Sequence, residues 1–509
     1  MIPVLSPQMI READAYTIAN EPIAAVALME RAAAACAGQL EAAIRSGRFG
    51  SVRSILVVSG MGNNGGDGLA MAVLLKQAGY AVAVALIIHA KQQSPENAVQ
   101  QQRAIDAGIA VQECASANDL DRIVADLIID ALLGTGLRAA LEGVAREAVA
   151  WMNSSGSPIV SIDTPSGLFA ESNEGNDHEG IVRAAITLTI EVPKLSLLLP
   201  ENAGFVGEWQ LVPIGLHADF VRNCSTTYQL VEAHDLSALI KPRPRFAHKG
   251  SFGHALLIGG SLGRMGSMVL ATRASLRSGV GLVTAVVPDE GLSALQVAAP
   301  EAMCHPGCGK EVLERLPTLD AYSSVAIGPG LSMQPTAGHV LEELLEQVNV
   351  PLVLDADALN IIAKQPALLH ALPKNTVLTP HPKEFERLAG HSFATGYDRL
   401  QAARQAASDW NCHIILKGAY TAVCAPDGMV RFNPTGNSGM AKGGSGDALT
   451  GLLAGILAQG YSVGDACMLG AYLHGLAGDI AADQLGQHGM TAMDLVQALP
   501  SAWRALSPA

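Results

Sequence analysis

Gly439-Met-Ala-Lys-Gly-Gly-Ser-Gly-Asp-Ala-Leu-Thr-Gly451 reads as a glycine-rich turn running straight into a helix. Gly443, Gly444 and Gly446 carry no Cβ, so their backbone N–H groups can approach an anion closely. The helix expected over roughly 446–459 aims its partly positive N-terminus at the same spot. Asp447 falls in its first turn. A carboxylate beside an anion hole repels a bound phosphate, so it makes sense where it takes a proton from a hydroxyl that attacks that phosphate. An ordinary first-turn aspartate is the plainer reading of the same residue. No Gly-Lys-Ser/Thr triplet closes the loop, which excludes a Walker A motif.

The same order, an apolar strand and then glycine or polar residues, recurs upstream. Ala255-Leu-Leu-Ile258 enters Gly259-Gly-Ser-Leu-Gly-Arg-Met-Gly266, and a helix follows. Val325-Ala-Ile-Gly-Pro-Gly330, Leu352-Val-Leu-Asp-Ala-Asp-Ala-Leu-Asn360, Val377-Leu-Thr-Pro-His-Pro-Lys-Glu384 and Ile414-Ile-Leu-Lys-Gly-Ala-Tyr-Thr421 repeat it. Pro426-Asp-Gly428 between two short β-prone runs predicts a hairpin. Lys417 is placed to neutralise phosphate. His381, with Lys383 and Glu384 in one loop, reads either as a ligand to a hydroxyl or phosphate or as a structural histidine.

The first half follows the same logic. Helical pattern covers 8–20 and 24–46. Ile55-Leu-Val-Val58 then ends in Ser59-Gly-Met-Gly-Asn-Asn-Gly-Gly-Asp-Gly68, and helix resumes at Leu69. Strands 126–130 and 159–163 finish on Asp130 and Asp163, followed by Gly134-Thr-Gly136 and Thr164-Pro-Ser-Gly167. In parallel α/β sheets, ligands bind beyond the carboxyl ends of strands. Asn63, Asn64 and Asp67 add side-chain oxygens, so the glycine-rich loop could hold a cation as well as a phosphate. One strand ending in Asp usually means only a helix cap, but three consecutive strand ends carrying Asn64, Asp130 and Asp163 point to a ligand site. Runs 186–190 and 207–215 close this sheet, and the βα alternation makes it mostly parallel.

With 509 residues, 49% hydrophobic and 16% charged, the chain suits two or three cored domains. The prolines of Lys241-Pro-Arg-Pro-Arg245 bar a regular helix, and the boundary is placed near residue 225. A net charge of −14 disfavours nucleic acid as a partner. The eight cysteines include no Cys-x-x-Cys pair and read as free thiols of a reducing compartment. Neither a signal peptide nor a membrane span is recognisable, so a cytoplasmic protein with no membrane partner is expected.

The second half resembles the ribokinase-like superfamily in Gly444-Ser-Gly-Asp447. More closely, Asp355–Asn360, Leu378–Glu384 and Gly439–Gly451 resemble the ADP-dependent NAD(P)H-hydrate dehydratases. The first half resembles the NAD(P)H-hydrate epimerases in Leu28-Met-Glu-Arg-Ala32, Asn63–Asp67, Asp130 with Gly134-Thr-Gly136, and Asp163-Thr-Pro-Ser-Gly167. Their order matches the bifunctional repair enzymes. The resemblance implies an α/β protein, with a Rossmann-like three-layer epimerase domain over 1–225 and a ribokinase-like dehydratase domain over 226–509. It implies that Asn63, Asn64, Gly65, Gly66, Asp67, Gly134, Thr135, Gly136, Leu137, Arg138, Ala139, Ala140 and Asp163 contact hydrated NAD(P)H. Asn64, Asp130 and Ser166 would bind potassium. Lys417, Gly418, Ala419, Tyr420, Thr421 and Gly446 would hold ADP, and Ala255, Gly330, His381 and Asp447 the hydrated cofactor. Asp447 and Asp163 would be catalytic, magnesium would serve the dehydratase, and a homo-oligomer is expected. A small-molecule kinase with a non-catalytic N-terminal binding domain stays open as the alternative.

Overall fold

The computed structural model describes residues 1–120 and 124–507. It divides into two compact units, Ile2–Thr226 and Thr227–Ala509, the latter together with Met1.

In the first unit the apolar runs become β1 (Ser54–Ser59), β2 (Ala81–Ile87), β3 (Ala110–Cys114), β4 (Leu127–Ala131), β5 (Ile159–Ile162), β6 (Ile186–Ile190) and β7 (Glu208–Val212). They lie in the order β3-β2-β1-β4-β5-β6-β7, and every pairing is parallel. Both faces of β1 are buried. Ile55 and Val57 pack with α2 (Ala25–Arg45) and α3 (Asn63–Gln77), whereas Leu56 and Val58 pack with α5 (Gly143–Ser154). Two-sided burial is what makes these strands read as continuous apolar runs. Strand order reverses between β1 and β4, which places a crevice at their carboxyl ends. Two further helices border it, α1 (Pro7–Asn20) and α4 (Pro95–Asp106).

One expectation fails here. Helix α3 begins at Asn63 rather than Leu69, so the glycine-rich stretch is the first turns of the helix and not a loop. The cause is close packing. A Cβ on Gly65 would lie 2.0 Å from the Gly60 carbonyl oxygen, one on Gly66 2.6 Å from Met29, and one on Gly68 2.4 Å from Ala131.

The second unit holds β8 (Tyr228–Leu230), β9 (His254–Ile258), β10 (Leu282–Val287), β11 (Met303–Pro306), β12 (Ser324–Ile327), β13 (Leu352–Leu354), β14 (Thr376–Leu378), β15 (His413–Leu416), β16 (Ala422–Cys424) and β17 (Val430–Phe432). Their order is β8-β17-β16-β15-β14-β13-β12-β9-β10-β11. Neighbours from β15 through β11 pair in parallel. The expected hairpin is present: β16 pairs antiparallel with β17, with Val423 opposite Arg431. Helices α6 (Met265–Leu276) and α9 (Ser445–Ala458) pack on this sheet and on each other. Gly451 lets them touch, because a Cβ there would meet the Ala271 carbonyl at 1.8 Å. Among the described residues no single helix is long and apolar enough to cross a membrane, and all eight cysteines are free.

Candidate active sites

In the second unit a cavity of about 800 Å³ opens at the carboxyl ends of β13, β14 and β15, and Asp355, His381, Glu384, Lys417, Gly446 and Asp447 all line it. Gly444, with φ +97°, occupies the left-handed region and starts α9 at Ser445. Gly446 fits because the Lys417 ammonium lies where a side chain would go, 3.2 Å from an ideal Cβ. Lys417 Nζ donates to Asp355 Oδ1 at 3.1 Å and lies 3.8 Å from Glu384 Oε2. Burial works to raise the Asp355 carboxyl, but Lys417 and the Thr450 hydroxyl, 2.7 Å away, hold it below its ordinary value. Burial pushes Asp447 up to about 6, with Asp355 adding to the shift, against a hydrogen bond from Ser267 and the charge of Lys417.

His381 is the N-cap of α8 (Pro382–Ala389). Its Nδ1 accepts from the N–H groups of Lys383 and Glu384 at 3.2 and 3.4 Å. Burial, then the charges of Lys417 and Arg387, lower its pKa. The neutral ring therefore carries its proton on Nε2. Gly330, with φ +62°, borders the glycine-rich loop after β9: a Cβ there would lie 2.7 Å from the Arg264 carbonyl and 3.4 Å from Ser267 Cβ. Ser267 thus links Gly330 to Asp447. The structure does not bring Ala255 to the cavity. It is the second residue of β9, at the end of the strand remote from the loop, and is fully buried in the apolar core.

In the first unit the expected residues lie on α3, on β4 and on the segments that follow β4 and β5. Gly134 covers Asn64, and a Cβ on it would lie 3.3 Å from Asn64 Cβ and Cγ. The Asn64 amide is buried, and neither Oδ1 nor Nδ2 has a hydrogen-bond partner. Asp130 is buried; burial raises its pKa against hydrogen bonds from Ser166 and Ser161. Ser161 Oγ donates at 2.7 Å and Ser166 N at 2.9 Å. Asp163 also takes the left-handed backbone conformation, φ +68°. Its Oδ1 accepts from Ile190 N at 3.2 Å and forms an ion pair with Lys194. Arg138, Ala139 and Ala140 are exposed on the loop after β4.

A family model described as NAD(P)H-hydrate dehydratase matches residues 255–501, and one described as YjeF-related protein N-terminus matches residues 25–196. The bifunctional NAD(P)H-hydrate repair enzyme Nnr of Moorella thermoacetica is 38% identical over 89% of this chain and 88% of its own length. That of Escherichia coli is 36% identical over 91% of this chain and 87% of its own length. The chain belongs to the family of bifunctional NAD(P)H-hydrate repair enzymes. A crystal structure of the ADP/ATP-dependent NAD(P)H-hydrate dehydratase from Bacillus subtilis, co-crystallised with ATP and Mg2+, is 30% identical and covers 56% of this chain and 100% of that one, with a TM-score of 0.48.

Several supports of these repair-enzyme sites escaped the sequence reading. Lys194, only 1% exposed, donates also to Thr189 Oγ1 at 3.0 Å and the Ile190 carbonyl at 3.1 Å. Buried Asn97 on α4 donates to the Gly60 and Gly62 carbonyls at 2.9 and 2.7 Å and fixes the turn before α3. Asp14 on α1 is pushed up to about 6, by burial first and then by Asp163, with Lys194 opposing. In the second unit His474 Nε2 lies 2.8 Å from the Ser445 carbonyl and braces the anion loop from behind. A Lys following a proline in an apolar tract was the one visible signal, and it pointed to Lys194.

Proposed function

We propose that the chain repairs hydrated NADH and NADPH on two separate sites. The first unit interconverts the R and S forms at C6, and the second dehydrates the S form with ADP, releasing AMP and phosphate. What supports this most is the second cavity, where the raised Asp447 carboxylate, the Lys417 ammonium and the N-terminus of α9 converge.

Hydroxide is a poor leaving group, so C6–OH needs conversion to a better one. Asp447 takes the hydroxyl proton, and the oxygen attacks the terminal phosphoryl of ADP. The new O–P bond forms as the bond to AMP breaks. The amides of Gly443, Gly444 and Gly446 stabilise the developing charge. Residues Lys417, Gly418, Ala419, Tyr420 and Thr421 hold the nucleotide, and Gly330 and His381 face the hydrated ring. The N1 lone pair then expels phosphate from C6, and loss of the C5 proton restores the dihydronicotinamide. Asp355 and Glu384 share the Lys417 ammonium, and Asp447 and Lys442 line the same cavity; three carboxylates against two ammonium groups fit a magnesium ion accompanying the nucleotide phosphates. That ion would neutralise charge on the transferring group.

In the first unit Asp163 is the proton-transfer group at C6, and residues 63–67 and 134–140 hold the dinucleotide. The unpartnered Asn64 oxygen, the buried Asp130 carboxylate and Ser166 form a donor set of hard oxygens. It fits potassium, which would offset the buried charge and order the crevice. The protein works in the cytoplasm as a homo-oligomer.

The test is the return of dihydronicotinamide absorbance from an epimer mixture of hydrated NADH, with and without ADP. Full recovery with ADP is expected. Recovery that halts at one epimer overturns the epimerase assignment. No recovery overturns the dehydratase assignment and favours a small-molecule kinase.

A further inference from the structure

A second recess of the Thr227–Ala509 unit lies outside the cavity just described. Its volume is about 760 Å³, and Met333, Asn360, Lys364, Lys383, Arg387 and His391 line it. This is the size of a ligand pocket for a nucleotide-sized group. Its walls are α7 (Ala356–Lys364), which ends on Lys364, and α8, which carries Lys383 and Arg387. All three cations are exposed, and among the described residues no carboxylate pairs with any of them. Glu386, also in the lining, is committed to Arg399 at 3.1 Å. Arg387 donates to Asn360 Oδ1 at 2.6 Å, which anchors its guanidinium on the wall. Three unpaired cations around one recess, in a chain of net charge −14, make a local seat for an anion.

The recess shares its elements with the substrate side of the dehydratase cavity. Met333 lies three residues beyond Gly330 on the loop after β12. Lys383 is in the first turn of the helix that His381 caps. Arg387 is one helical turn beyond Lys383, about 6 Å along the axis. The positive field of the recess reaches the cavity: Arg387 and Lys383 are among the charges that lower His381. A ring held between Gly330 and His381 therefore has the rest of its dinucleotide within reach of this recess.

We propose that the recess seats the adenosine end of the hydrated dinucleotide, and that Lys364, Lys383 and Arg387 bind a ribose 2′-phosphate there. The dehydratase site then favours hydrated NADPH over hydrated NADH, which differ only in that phosphate. The inference rests on the dehydratase reading above.

The test compares kcat/KM for the S form of each hydrated cofactor in the full chain and in its Lys364→Ala/Lys383→Ala variant. The wild type is expected to prefer hydrated NADPH about tenfold or more, the worth of one charge-assisted hydrogen bond. The variant should lose that preference through KM for hydrated NADPH, with hydrated NADH kinetics unchanged. Added inorganic phosphate should raise KM for hydrated NADPH alone. A wild type without preference, a ratio untouched by the substitutions, or equal losses for both substrates overturns the proposal. Phosphate raising both KM values equally would place the anion elsewhere and also overturn it. Turnover of neither substrate by the wild type would instead sink the dehydratase reading itself.

Discussion

In the first unit the buried ammonium of Lys194 is clamped on Asp163 itself, while Asp14 and Asp67 stand nearby with pKa values raised by burial and by Asp163. In the second unit the corresponding ammonium, Lys417, is bonded to Asp355, and Asp447 is left with a hydroxyl from Ser267. Both sites set one lysine among several carboxylates. They differ in which carboxylate receives it. A carboxylate locked to a buried cation is held in place, whereas one kept off it, and pushed up to about 6, is free to take a proton. The second arrangement suits a base that must deprotonate a hydroxyl. The first suits a group whose position matters as much as its basicity.

The comparison breaks most sharply at Asp447. Asp447→Asn is expected to lower ADP-dependent dehydration about 10²–10⁴-fold while epimer interconversion, followed by chromatography of the two forms, continues. A variant that keeps most of its dehydratase rate removes the base from the second site.

Lys194→Met removes the partner of a half-buried carboxylate, a change expected to cost less than the roughly 3–5 kcal/mol of a fully buried pair, on the order of 1–3 kcal/mol. Chemical unfolding should show that loss, and the epimerase step should fail while dehydration of the S form survives. Unchanged stability and epimerisation would mean that the clamp on Asp163 is idle.

Much of this was legible in the sequence, and the limits are physical. Asp130 at the end of one apolar run and Asp163 just after the next mark the carboxyl edge of a parallel sheet, because period and strand-end chemistry are local, whereas Asn64 lies beyond β1 in the first turn of α3. Gly444-Ser-Gly-Asp447 likewise carries its own turn. Lys194 and Asp163, by contrast, are 31 residues apart, and no periodicity announces which distant ions meet. Ala255 lies off the cavity lining, and a small apolar strand residue carries no sign of which end of the strand a ligand occupies. The start of α3 failed because glycines that serve close packing look identical to glycines that serve a turn.

A third outcome sharpens the contrast through pH. Asp447 must be ionised to accept a proton, and its ionised fraction falls as pH drops through about 6. Dehydration at saturating ADP should therefore decline about tenfold per pH unit below that point. A rate flat from neutral down to the ordinary carboxylate range would contradict the free-base assignment. The smallest expected effect is structural. Asn97→Ala removes one donor each from the Gly60 and Gly62 carbonyls, which keep Ser59 Oγ and Gly66 N, and should cost about 0.5–1.5 kcal/mol per lost bond, read as an earlier unfolding transition of the first unit with the second unit's dehydratase rate unaltered.

The strand order of the first unit also sets a timetable for its synthesis. Strand β1 pairs early with β2, but its other edge waits for β4, Ile55 standing opposite Leu127. At ribosomal speeds of roughly 5–20 residues per second, that edge emerges about 4 to 14 seconds before its partner exists. For that interval a nascent chain presents Ile55-Leu-Val-Val58 with one row of backbone donors and acceptors open. The crevice proposed to bind the ligand is thus also the seam of this sheet that waits longest for its second strand, and the interval in which a chaperone has most to protect.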